Sequence, residues 1–171
     1  MTGLLAAALE RAQHFFVAPA PEAREAATAP PSVSLAVGVV GLRRSCGAST
    51  VARGLACAFE LRDPGASELV RELEPAELAC TRVDVIVLVA PGDGEPALAA
   101  VAAGLLSTRL GPVVVVANRV RDRESWSDRA AVCLPDSRLA ALLIARGRLP
   151  PGELGTALLT LAWDLVALGS A

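Results

Sequence analysis

The sequence predicts an α/β fold: a three-layer, mostly parallel sheet flanked by helices, with an N-terminal helical arm. Three observations predict it. The runs 83–90 (VDVIVLVA) and 113–118 are almost unbroken apolar stretches, as expected of strands covered on both faces. Segments with helical spacing alternate with them. A β-rich run at 33–41 breaks at Gly41 into GLRRSCGAST, and a helical pattern follows at once. The core material agrees with this. Of 171 residues, 53% are hydrophobic, with only three Phe, two Trp and no Tyr, and small aliphatics suit a sheet between Ala-rich helices.

Three segments follow in chain order. Residues 1–17 place Leu4, Leu5, Ala8, Leu9, Ala12, Phe15 and Phe16 on one stripe of an amphipathic helix. That stripe either docks on its own domain or binds a protein partner. Few cations flank it, which disfavours peripheral membrane contact. Residues 18–32, rich in Pro and Ala, read as a linker. Residues 33–171 form the α/β domain. Within it, 49–61 reads as a helix, 66–79 as a weaker helix interrupted at Pro75, and 96–106 as a third. A short strand at 131–134 leads to a helix from Asp136 to about Arg146. A last helix carries Pro151 in its first turn, and its stripe of Leu154, Leu158, Leu161, Leu165 and Leu168 is expected to pack on the sheet.

Charge and cysteine usage narrow the function classes. The net charge of −2 supplies no basic field, and rings for base stacking are scarce, so nucleic acid is excluded as a partner. Arg119, Arg121, Arg123 and Arg129 cluster, but Asp122, Glu124 and Asp128 are interleaved, giving a solvated loop. Cys46, Cys57, Cys80 and Cys133 form no CxxC pair. With a single histidine, His14, no zinc set assembles, so no metal site is expected. Unpaired cysteines, the lack of a leader pattern and the absence of a run of about 20 apolar residues lead to a cytoplasmic expectation with no transmembrane segment.

The strand-turn-helix at 41–50 has the layout of a phosphate-binding loop. Amides at Ala48, Ser49 and Thr50 open a helix, Gly47 admits close backbone approach, and Arg43 and Arg44 bring positive charge. Ser49 stands where a hydroxyl reaches a magnesium ion, with Thr50 behind it; equally, Ser49 is an ordinary helix N-cap. Ala48 occupies the lysine position, and the chain contains no lysine: all 16 basic residues are arginine. A nucleophile elbow at Ser45 lacks its first glycine and a domain histidine. A dinucleotide fingerprint is only partly present at Gly38 and Gly41. Cys46, near two arginines at a helix start, is either an activated thiol or an inert one.

In order, GVVGLRRSCGASTVARGLA, LRDPGASELV, RVDVIVLVAPG, GPVVVVANRV and CLPDSRLAALLIARGRLP resemble the MinD/ParA family of deviant P-loop ATPases over residues 33–168. The resemblance implies a P-loop NTPase-like fold in which Arg43 takes the signature-lysine position. Gly47 then matches the last glycine, and Ser49 and Thr50 match the hydroxyls. It further implies adenine contacts at Asn118, in the N-R-V segment, and at Pro135 and Asp136. The family's two carboxylate strands have no room in 62–82, leaving Asp63 and Asp93 as candidate survivors. Phosphoryl transfer rests on positioning and charge neutralisation, so loss of lysine and metal carboxylates implies a pseudo-ATPase with no catalytic residues. The expectation is a degenerate P-loop domain acting as a binding or scaffolding protein in division, partition or envelope positioning. The alternative is a switch that binds ATP or ADP with weak or no Mg2+ dependence and little hydrolysis. A homodimer is compatible with either.

Overall fold

The computed structural model describes residues 35–169; the expected arm at 1–17 and linker at 18–32 lie outside them. Five strands form one sheet: β1 (Val37–Gly41), β2 (Val70–Glu72), β3 (Val85–Pro91), β4 (Val113–Val120) and β5 (Val132–Pro135). Their spatial order is β2-β1-β3-β4-β5, and every neighbouring pair is parallel. Among the described residues four helices accompany them: α1 (Ala48–Arg62), α2 (Pro96–Leu110), α3 (Arg138–Ala145) and α4 (Glu153–Gly169). The α/β class and the parallel sheet are as expected.

The apolar runs explain the layering. All seven residues of β3 are buried, and alternate side chains feed opposite faces. Val85, Val87 and Val89 join Val51, Leu55, Leu158 and Leu161 in a large core beneath α1, α3 and α4. Leu88 and Ala90 point the other way, to Ala99 of α2 and to Trp126. A small third cluster, with Val40, Leu73, Leu78 and Ile86, fills the same side near the β2 edge. One face of the sheet therefore carries three helices, while the other carries α2 and short 3-10 turns at Glu77–Ala79 and Glu124–Trp126.

Several elements differ from expectation. Residues 66–79 are not one interrupted helix: a 3-10 turn at Ala66–Leu69 leads into β2, which pairs with β1 from Val37↔Val70 to Val39↔Glu72. Pro75 then helps turn the chain toward a second 3-10 turn. At the start of α1, Gly47 rather than Ser49 is the N-cap. Ser137 caps α3 by accepting from the Ala140 amide at 3.2 Å. In α4, Leu154, Leu158, Leu161 and Leu165 are buried as expected, Leu168 is largely exposed, and Pro151 lies ahead of the helix. Among the described residues no helix is long and apolar enough to cross a membrane.

The order 2-1-3-4-5 places a topological switch at β1, whose neighbours β2 and β3 leave in opposite directions. Ligand crevices in open α/β sheets lie outside the carboxyl ends of the strands at such a point. The loops that emerge there are 42–47 after β1 and 92–95 after β3.

Candidate functional site

At the carboxyl end of β1 the chain makes a tight turn before α1. Cys46 donates its amide to Arg43 O at 3.4 Å, and Thr50 and Val51 both donate to Gly47 O. Gly47 is left-handed, at φ 91°, and a Cβ there would collide with Asn118 Nδ2. Only glycine satisfies both requirements. Ser45 is also left-handed, at φ 60°, and so is Arg119, at φ 61°, across the crevice. These are the only two non-glycine residues with positive φ among those described, and both line this rim. Such conformations cost about 1–2 kcal/mol each and persist only where surroundings enforce them.

Arg119 shows what enforces it. The β4–β5 register slips between Asn118 and Val120, and the extra residue turns outward while Asn118 turns in. Asn118 is 5% exposed, the one buried polar residue among those described, and its Nδ2 donates to Cys46 O at 2.9 Å. The side chain expected to reach adenine is thus clamped to the loop backbone. Beside it, Gly92 donates its amide to Asn118 O at 2.6 Å and lies so near the Arg119–Val120 backbone that no side chain fits. Trp126 is fully buried behind this contact and donates Nε1–H to Gly92 O at 3.2 Å. The three loops of the rim are therefore bolted together by Asn118, Gly92 and Trp126.

All eight expected residues meet on this rim. Arg43, Arg44, Gly47, Ser49 and Thr50 line a hollow of about 770 Å³ whose far wall includes Glu72 and Glu74. Arg43, Asn118 and Asp136 border a second hollow of about 390 Å³. Thr50, Asn118, Pro135 and Asp136 border a third of about 290 Å³. Arg119 touches all three. A separate apolar groove of about 780 Å³ between α1 and α3, bordered by Cys57, Ile144 and Leu149, has few converging polar groups and lies away from the strand ends.

Two polar side chains of the loop, Ser49 and Arg43, are engaged by the protein itself. Ser49 Oγ donates to Glu72 Oε1 at 2.7 Å, and Arg43 pairs with Asp93 at 2.7 Å across the switch point. Both partners of that pair are exposed, at 58% and 79%, so its contribution is about 0–1 kcal/mol. Ala48 and Ser49 keep the first helical amides, which have no acceptor within the helix. Of the two carboxylates considered from sequence, Asp93 is at the rim. Asp63 is not, because it ends α1 at the opposite end of the helix from the loop.

Sequence reasoning missed Glu72 because it read 66–79 as helical; as the last residue of β2, it sits beside the loop. It also read 119–130 as solvated throughout, yet Trp126 is core. An isolated tryptophan among charges was the available signal. Cys46 is 2% exposed and packs beneath Gly41, which resolves the two thiol readings in favour of an inert core residue. Cys57 and Cys133 are half-buried, and burial pushes both thiols up, opposed at Cys133 by Arg123. No disulfide joins the four cysteines. Among the described residues no three His, Cys, Asp or Glu side chains converge to hold a metal ion. Compared with known proteins, the chain matches no family model, no curated protein and no solved structure.

Proposed function

We propose that this chain is a non-hydrolytic binding or scaffolding module, built on a phosphate-loop type of α/β domain whose loop side chains Ser49 and Arg43 are paired with carboxylates of the same chain. One observation carries the reading: the hydroxyl of Ser49 is bonded to Glu72, so a carboxylate faces the loop at the side where a lysine would supply positive charge, and Ala48 supplies none. A phosphate arriving there meets a like charge. At a separation of 4 Å that costs roughly 1 kcal/mol in water and about 4 kcal/mol at the effective dielectric of a protein surface. The free amides of Ala48 and Ser49, together with Arg43, Arg44 and Arg119 on the same hollow, offset this, which is why adenine-nucleotide binding is the competing reading. A role in division, partition or envelope positioning comes from the resemblance to the MinD/ParA family.

Isothermal titration with ATP and with ADP, each with and without Mg2+, separates the two. The scaffolding reading expects no heat of binding at nucleotide concentrations up to about 1 mM. Micromolar binding in any arm overturns it in favour of the nucleotide switch. Repeating the titration on the double variant A48K/E72Q reverses the electrostatics without touching Asn118 or Gly47. Acquired binding in that variant would identify charge, rather than shape, as what closes the site.

A further inference from the structure

Among the described residues α2 is the one α-helix on its side of the sheet, and its sequence, PALAAVAAGLLSTRL, is apolar almost all round. A helix of that kind is ordinarily buried on every side. Here only Ala99 is buried, while Leu98, Val101 and Leu105 stand 56%, 59% and 59% exposed. They follow one another at spacings of three and four, so they form a single outward stripe. No charged residue interrupts it between Glu95, at the N-cap, and Arg109, in the last turn.

Two further features say what covers the stripe. Gly104 lies on the same exposed face, and a Cβ added there meets nothing within 4 Å. Glycine inside a helix weakens it relative to alanine, and among the described residues no contact at Gly104 offsets the loss. Close approach of another backbone does. The second feature is the charge order: an acid at one end, and two bases, Arg109 and the neighbouring Arg82, at the other. A second copy laid antiparallel about a two-fold axis near Val101 brings Leu98 onto Leu105 of the other copy. The same axis brings Glu95 onto its Arg109. A single axis satisfies both pairings, which is the self-complementarity an isologous interface requires.

From these observations we infer that the outer face of α2 is a homodimer interface, formed by antiparallel packing of α2 from two copies and independent of nucleotide. The helix is 15 residues long, hence about 22 Å. One helix pair with its flanks falls at or below the roughly 800 Å² per partner of a standard interface, so the dimer is expected to dissociate in the micromolar range.

Sedimentation equilibrium on the full chain, without nucleotide, tests this. The expected result is a reversible species of twice the 17.5 kDa chain mass. Leu105→Glu puts a carboxylate against Leu98 of the other copy in each half of the interface and should weaken association at least ~100-fold, with the monomer still folded because position 105 is exposed. Gly104→Ala should weaken it while raising the melting temperature of the monomer. Glu95→Arg and Arg109→Glu should each weaken it about tenfold, since two copies of each contact change, and the double reversal should restore it. Four results overturn the inference. These are a monomer at about 200 µM, a dimer that survives Leu105→Glu, a double reversal that fails to rescue, and association that requires ATP.

Discussion

The clamp between Gly47 and Asn118 gives a quantitative test of how the rim is held. Asn118→Ala removes a hydrogen bond of 2.9 Å from a side chain that is 5% exposed and leaves Cys46 O without its donor. Removing one partner of a buried neutral hydrogen bond leaves the other unpaired at a cost of about 1–3 kcal/mol, so the loss should be about 2 kcal/mol. Gly47→Ala forces a side chain into left-handed backbone at φ 91°, costing about 1–2 kcal/mol. It also drives its Cβ into Asn118 Nδ2, which must move and give up the same hydrogen bond. That variant should lose about 3–5 kcal/mol. In the double variant the clash is gone and the hydrogen bond is lost only once, so the total should fall short of the sum by about 2 kcal/mol. Urea denaturation followed by circular dichroism on all four proteins of the cycle measures this. Additivity to within about 0.5 kcal/mol would refute the clamp, because independent sites behave in that way.

Two other outcomes follow from the same structure. Cys80 is exposed, Cys57 and Cys133 are half-buried with burial raising both thiols, and Cys46 is buried. Alkylation by iodoacetamide near neutral pH, read by intact mass, should therefore label Cys80 first, Cys57 and Cys133 slowly, and Cys46 only on unfolding; early labelling of Cys46 would contradict its place in the core. Glu60 accepts from Ser67 and from the Gly65 amide at the turn after α1, which holds its carboxyl below the ordinary glutamate range. A depressed folded-state value means its contribution is present above the unfolded value and vanishes as pH falls through the folded one. The melting-temperature gap between wild type and Glu60→Gln should thus be present at neutral pH and close on acidification; a gap that widens there would be the wrong sign.

The parts of the fold legible in the sequence were those where one physical term dominates. β3 and β4 are buried on both faces, and a run such as VIVLVAP admits few other readings. The α1 and α4 stripes were equally plain, because one face of each helix meets the large core. β2 was not legible. It is three residues long, its residues are half-buried or exposed, and its alternation is too short to distinguish from a helical turn. Its strand character comes from pairing with β1, a tertiary cause that no local pattern carries.

The same distinction governs the site. The loop residues could be located in advance because strand, glycine turn and helix are consecutive in the chain. What those residues do there could not, because each is fixed by a partner distant in sequence. Ser49 is bound to a carboxylate 23 positions away, Arg43 to one 50 positions away, and Cys46 O to an amide 72 positions away. Asn118 is the sharpest case. Read from its N-R-V context it contacts a base, whereas in the fold its amide supports the loop from beneath. At 5% exposure Asn118 donates Nδ2–H to the loop backbone, and it also borders two of the hollows on the rim. An asparagine in that role keeps the loop's shape whether or not any phosphate ever occupies it.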